Sequence, residues 1–161
     1  MRTLFAASAA VLALTTAASV QAAEIKFIGP PEGAISSGVI VPAGAETFYV
    51  AGITPSPVTP AANGVPAEYG DTKTQTIGVI KRLQDALKTQ GADLKDVVMM
   101  RVYMVAAPDG KLDFAGMNAA YNKYFGTADQ PNKPARTTVQ VAALVTAGAL
   151  LEVEVQAARN K

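Results

Sequence analysis

The chain has 161 residues, 50% of them hydrophobic, with 14 Lys or Arg against 13 Asp or Glu and neither cysteine nor histidine. These two absences exclude disulfides, thiol nucleophiles and thiolate metal sites, along with Ser-His-Asp triads, histidine bases and histidine-ligated zinc. Any catalysis must rest on carboxylates, Arg, Lys, Tyr, hydroxyls, backbone groups and water.

Residues 1–22, MRTLFAASAAVLALTTAASVQA, carry Arg2, an apolar run from Leu4 to about Leu14, and small residues ending Val20-Gln21-Ala22. They read as a secretory signal cut after Ala22. The run is too short for a hydrocarbon core of roughly 30 Å, and no second long apolar stretch follows. The expectation is a soluble protein, periplasmic or secreted, with no membrane partner. Cleavage removes Arg2 and leaves 13 basic against 13 acidic residues, without the basic excess of a nucleic-acid binder. The remaining stretch, 23–161, suits one domain.

Residues 24–28, 35–41 and 46–52 read as short strands separated by turns such as VPAGAE, together an antiparallel meander. ITPSPVTPAANGVPAEYG, with a turn at Asn63-Gly64, is a loop long enough to be mobile or to rim a site. From Asp71 to Gln90 the spacing predicts a helix: Ile77, Ile80, Leu83 and Leu87 form a stripe, Thr72-x-x-Gln75 offers a capping box, and Gly91 a stop. DVVMMRVYMVAA (96–107) reads as a buried strand. A second helix spans about Leu112 to Phe125, with Phe114, Met117, Tyr121 and Tyr124 on one side. Strands over 137–145 and 149–158 follow, joined through VTAG.

Two helices with one apolar stripe each cover one face of a mixed β-sheet, so the expected fold class is α+β, in two layers. In the last strand Leu151, Val153 and Val155 face one way and Glu152, Glu154 and Gln156 the other. Thr138 and Gln140 would share that polar side if the last two strands pair. Such a face suits water or a wet subunit interface. Arg136 stands at the mouth of the strand in KPARTTVQVAAL, directly after a Pro-Ala step. On the residues alone, a structural salt bridge at an interface and a ligand clamp are both open.

FYVAG (48–52), LKTQGADLKDVVMMRVYM (87–104), DFAGMNAAYNKYF (113–125), PART (134–137) and GALLEVEV (148–155) are collinear. Together they resemble the Rid family of reactive-intermediate deaminases, also called YjgF/YER057c/UK114, over nearly all of the chain after the signal. The resemblance implies a chorismate-mutase-like α+β fold, two helices packed on one face of the sheet, assembled as a homotrimer with three ligand clefts between neighbouring subunits. It implies hydrolysis of enamines and imines of 2-amino acids, such as 2-iminobutyrate, to 2-oxo acids and ammonia, with no metal or organic cofactor.

Arg136 matches the arginine of the family's PAR-S/T step, where a planar guanidinium grips a substrate carboxylate bidentately. Glu152 matches the first carboxylate of the family's E-x-E, which would hold or deprotonate the attacking water; a solvated strand face is the alternative, and it suits Glu154 better. A hairpin about VTAG would set Arg136 and Glu152 roughly 13 Å apart, leaving room for substrate and water. Gly52 takes the place of a glycine whose bare backbone admits a carboxylate. The N–H of Thr138 would add a donor beside Arg136, and Asn118 matches an asparagine that lines the cleft.

The chain also departs from the family pattern. Ile35 falls where the family has a tyrosine that closes the cleft from a neighbouring chain, Ala51 where it has a serine, and Thr138 where cysteine is common; LVTA replaces LPK with one extra residue. These changes strip hydroxyls from the pocket. They keep a second reading open, a non-catalytic trimeric binder of small carboxylates or a chaperone-like protein. Endoribonuclease activity, which older naming attaches to the family, generally wants paired acid-base groups and a basic groove; this chain has no histidine and a balanced charge after cleavage.

Overall fold

The computed structural model describes residues 23–160, and the expected signal lies outside them. The strands and α-helices are β1 (Lys26–Ile28), β2 (Gly38–Ile40), β3 (Glu46–Ile53), α1 (Thr72–Lys88), β4 (Val97–Met104), α2 (Phe114–Tyr121), β5 (Ala135–Gln140) and β6 (Leu151–Arg159), with a short 3-10 turn at Leu94–Asp96 before β4. Their order matches the sequence reading, but their pairing does not. β1 and β2 form their own antiparallel pair, while β3 joins a four-stranded sheet of order β3-β6-β4-β5. The first three strands are therefore not a meander. Nor do β5 and β6 form a hairpin: β4 lies between them, parallel to β5 and antiparallel to β6.

Burial explains this order. β4 buries Val97, Val98, Met100, Val102 and Met104, and β6 buries Leu151, Val153, Val155, Ala157 and Ala158. The two most apolar strands take the centre, and the more polar ARTTVQ of β5 is left at an edge. Segment 141–150 then crosses the Met104 end of β4. It is held there by the Val141 N–H donating to Met104 O at 2.8 Å and the Val105 N–H donating to Leu150 O at 3.0 Å.

α1 opens on Asp71, whose Oδ1 accepts from the Thr74 N–H at 2.7 Å, and not on the expected Thr72–Gln75 box. Gln75 is buried instead, 2% exposed. Its amide donates to Gly70 O and Gly148 O at 3.0 and 3.1 Å, and its Oε1 accepts from the Leu150 N–H at 2.7 Å, fastening the helix to the crossing segment. The helix stops as expected at Gly91, at φ 69°, where the N–H groups of Gly91 and Ala92 bond back to Lys88 O and Leu87 O. α2 is shorter than predicted, capped by Asp113 through the Gly116 N–H and continued beyond Tyr121 by turns. In the long loop, Thr59 bridges Glu68 and Ala62 bridges Val65 about Asn63 and Gly64, both at positive φ, a small hairpin of the Asn-Gly kind.

Both helices cover one face of the four-stranded sheet. Val79, Ile80, Leu83 and Leu87 of α1 and Met117 and Tyr121 of α2 pack with Met100, Val102, Met104, Leu151, Val153 and Val155. Residues paired across a ladder point the same way. Met99, Arg101 and Tyr103 of β4 therefore share the open face with Gln156, Glu154 and Glu152 of β6, and Arg101 pairs with Glu154 at 2.7 Å. On β5, Arg136, Thr138 and Gln140 align with Met100, Val102 and Met104 on the helix side, while Thr137 and Val139 align with Arg101 and Tyr103. The expected grouping of Thr138 and Gln140 with the glutamates is thus reversed, and Val139, 42% exposed, takes the open face.

Candidate active site

Arg136 lies inside β5, one residue past its start, and its side chain runs to α2. Residues 114, 117, 118 and 121 recur at the spacing of one helix face, and all four meet the guanidinium. Its Cζ lies 4.4 Å from the Tyr121 ring centroid and 5.9 Å from that of Phe114. Nη1 approaches Met117 Sδ at 3.9 Å, and Nη2 donates to Asn118 Oδ1 at 2.7 Å. This cradle is neutral throughout. The ion pairs among the described residues are Arg101–Glu154 and Arg159–Glu46, so Arg136 has no carboxylate partner among them.

Burial lowers the Arg136 pKa, yet a guanidinium keeps its proton in proteins. Burial also pushes the Tyr121 phenol up to about 12, against the opposing pull of the Arg136 charge, so the phenol stays neutral. A half-buried cation without an anion is costly, and a cation–π contact offsets only about 0.5–2 kcal/mol. The position therefore has an unmet demand for an anion, and the planar fork of N–H donors favours a carboxylate. Thr138 follows two residues along the same face, its Oγ1 buried and without a hydrogen-bond partner among the described residues.

On the opposite face, Glu152 pairs with Tyr103. β3 bulges beside it: Val50 pairs with Val155 and Ile53 with Val153, leaving Ala51 and Gly52 opposite the single residue Glu154. The bulge brings Gly52 against the Glu152 carboxylate. A Cβ at Gly52 would collide with Glu152 Oε1 and lie 2.9 Å from its Cδ, so glycine alone leaves the carboxylate where it is. A shallow hollow of about 240 Å³ lined by Tyr49, Ala51, Arg101 and Glu154 opens next to the bulge. A partly exposed carboxylate outside the ion pairs can hold a water and take its proton. Gly52→Ala is expected to keep the fold, with Tm within a few degrees, because the far end of Glu152 can swing aside. A crystal structure of the variant should show that carboxylate displaced by more than about 1 Å; an unmoved Glu152 would refute the close approach.

The predicted residues therefore assemble as two groups. Arg136, Asn118 and Thr138 form one on the helix side, and Glu152 and Gly52 form the other on the open side. Ile35 belongs to neither: it packs partly buried against the core and lines a cavity of about 310 Å³ with Phe27, Ser36 and Lys133. Arg136 and Glu152 flank β4 at the levels of Met100 and Tyr103 and point to opposite faces, which replaces the hairpin geometry expected from the sequence. Within one chain the sheet therefore stands between the two side chains. The sequence reading misses Phe114 and Tyr121 as neighbours of Arg136, because their spacing reads as core stripe. The available signal is Asn118, a polar residue in the middle of that stripe.

Residues 30–159 match the family model described as Endoribonuclease L-PSP. A RutC family protein of Pyrococcus abyssi is 37% identical over 119 residues, which cover 74% of this chain and 79% of that protein. Protein DfrA of Myxococcus xanthus is 34% identical over 119 residues, 74% of this chain and 78% of its own length. Among solved structures, the Rid family protein YyfB of Yersinia pestis, a protein of unknown function, superposes with a TM-score of 0.61 at 26% identity. That match covers 83% of this chain and 97% of YyfB.

Proposed function

Because the chain belongs to the Endoribonuclease L-PSP family, the Rid or YjgF/UK114 proteins, we propose that it is an exported deaminase hydrolysing 2-imino acids to 2-oxo acids and ammonia. The observation that carries this reading is Arg136, a fixed cation in a neutral cradle with no carboxylate partner among the described residues. Two of its N–H groups bind the substrate carboxylate as a fork, beside the bond from Nη2 to Asn118 Oδ1. Glu152 holds a water and accepts its proton as the water oxygen bonds to the C=N carbon. The C=N electron pair moves to nitrogen, and the proton passes from Glu152 to that nitrogen. The C–N bond then breaks with its pair leaving on ammonia while the hydroxyl gives its proton back to Glu152 and becomes the carbonyl; ammonia carries that proton off as ammonium. An iminium is electrophilic enough for a carboxylate base to suffice.

The opposite orientation of Arg136 and Glu152 supports a cleft shared by two chains, with Arg136 from one subunit and Glu152 with Gly52 from its neighbour. A closed homotrimer supplies three such clefts by rotation. The open face of the sheet, with Tyr49 76% exposed beside charged and polar residues, has the mixed chemistry of a wet interface. Export rests on residues 1–22. Among the described residues no helix is long and apolar enough to cross a membrane.

The test is the decay of 2-iminobutyrate generated in situ, with residues 23–161 added. Accelerated release of 2-oxobutyrate is the expected result. A folded protein that binds 2-oxobutyrate without accelerating decay would replace the deaminase with the carboxylate binder.

A further inference from the structure

We propose that Tyr121 is a positioning residue for Arg136, its ring face setting the plane of the guanidinium before any ligand arrives. This rests on Arg136 as the carboxylate clamp. Tyr121 is 1% exposed and Phe125 2%, and their rings stack at 4.8 Å with 15° between planes. The guanidinium lies 4.4 Å from the Tyr121 centroid. Phe125, Tyr121 and Arg136 thus stack in sequence, the two rings buried in the core and the charged group at the outer end.

Arginine carries a large rotamer entropy, and a free guanidinium must lose it on binding. Here contact with the ring limits how far the group can tilt or withdraw, and the bond from Nη2 to Asn118 Oδ1 limits its rotation. The two constraints together narrow its orientation, leaving other N–H donors of the fork for a carboxylate. The Tyr121 hydroxyl takes no part in this. It is buried without a hydrogen-bond partner among the described residues, and its proton is held up to about pH 12. The ring is what matters, so phenylalanine should serve as well.

The experiment combines side-chain NMR with binding of 2-oxobutyrate. In the unmodified protein the Arg136 Nε–H should show a ¹⁵N relaxation pattern as rigid as the backbone; a freely rotating Nε–H overturns the proposal without any variant. Tyr121→Phe should keep that rigidity and bind 2-oxobutyrate within twofold of the parent. Tyr121→Leu should release the Nε–H, weaken binding and raise KM about tenfold, with a smaller change in kcat. Added to Arg136→Ala it should weaken binding no further, whereas a merely structural tyrosine would still subtract from the double variant. Tyr121→Phe losing as much as Tyr121→Leu would overturn the ring's role. If the parent binds no 2-oxobutyrate, the clamp reading fails, and the relaxation data still decide whether Tyr121 holds Arg136.

Discussion

Arg136→Ala is expected to lower kcat/KM for 2-iminobutyrate hydrolysis at least about 100-fold. Two charge-assisted hydrogen bonds to the substrate carboxylate are lost, at about 1.5 kcal/mol or more each. Each 1.36 kcal/mol is a factor of ten in rate, so about 3 kcal/mol gives roughly two decades. Arg136→Lys should fall nearly as far. An ammonium cannot keep the contact with the Tyr121 ring, donate to Asn118 Oδ1 and present a planar two-donor fork at once. Stability separates this role from a structural one. Removing a half-buried cation that has no carboxylate partner among the described residues relieves a desolvation cost while leaving Asn118 Oδ1 without its donor. The two effects oppose each other, so Tm should stay within a few degrees. Activity retained within a few-fold would sink the clamp, and a collapse of Tm would make the arginine structural.

Glu152→Gln should give a different signature: kcat reduced about 100-fold or more, the usual range for losing a general base, with KM changed only a few-fold. Glutamine keeps the size of the side chain and its place against Gly52, and it loses the ability to take a proton. The glutamate lies on the open face and outside the ion pairs of the described residues, so the fold should not register the change. Opposite placement on the sheet adds a second measurement. When Arg136→Ala and Glu152→Gln chains are unfolded and reassembled together, about a quarter of the clefts between neighbours should combine an intact arginine with an intact glutamate. Activity reappearing in the mixture supports the shared cleft. A mixture as inactive as its components argues that both residues act within one chain.

Much of the site is legible in the sequence through local patterns. The order of elements follows from hydrophobic periodicity, and the stop at Gly91 from a position that needs positive φ. Arg136, Glu152, Gly52, Asn118 and Thr138 are reached through short collinear motifs, and the structure gathers them into two groups. The cap of α1 is less legible, because Gln75 has partners 73 and 75 residues away that no local motif contains. The cradle around Arg136 stays hidden for the opposite reason: aromatic residues at helical spacing fit a plain core stripe just as well.

Composition and local spacing alone thus determined the α+β class, the two amphipathic helices and the chemistries excluded by the lack of cysteine and histidine; the candidate charges came from the resemblance of the collinear motifs to a family. Strand pairing was decided only in three dimensions. A hairpin between the last two strands is the shortest connection, but the whole sheet buries more apolar surface with β4 and β6 at its centre and β5 at its edge. Since side chains alternate faces along a strand, the insertion of β4 between β5 and β6 sets the register of each separately. That register sends Arg136 toward the helices and Glu152 away from them.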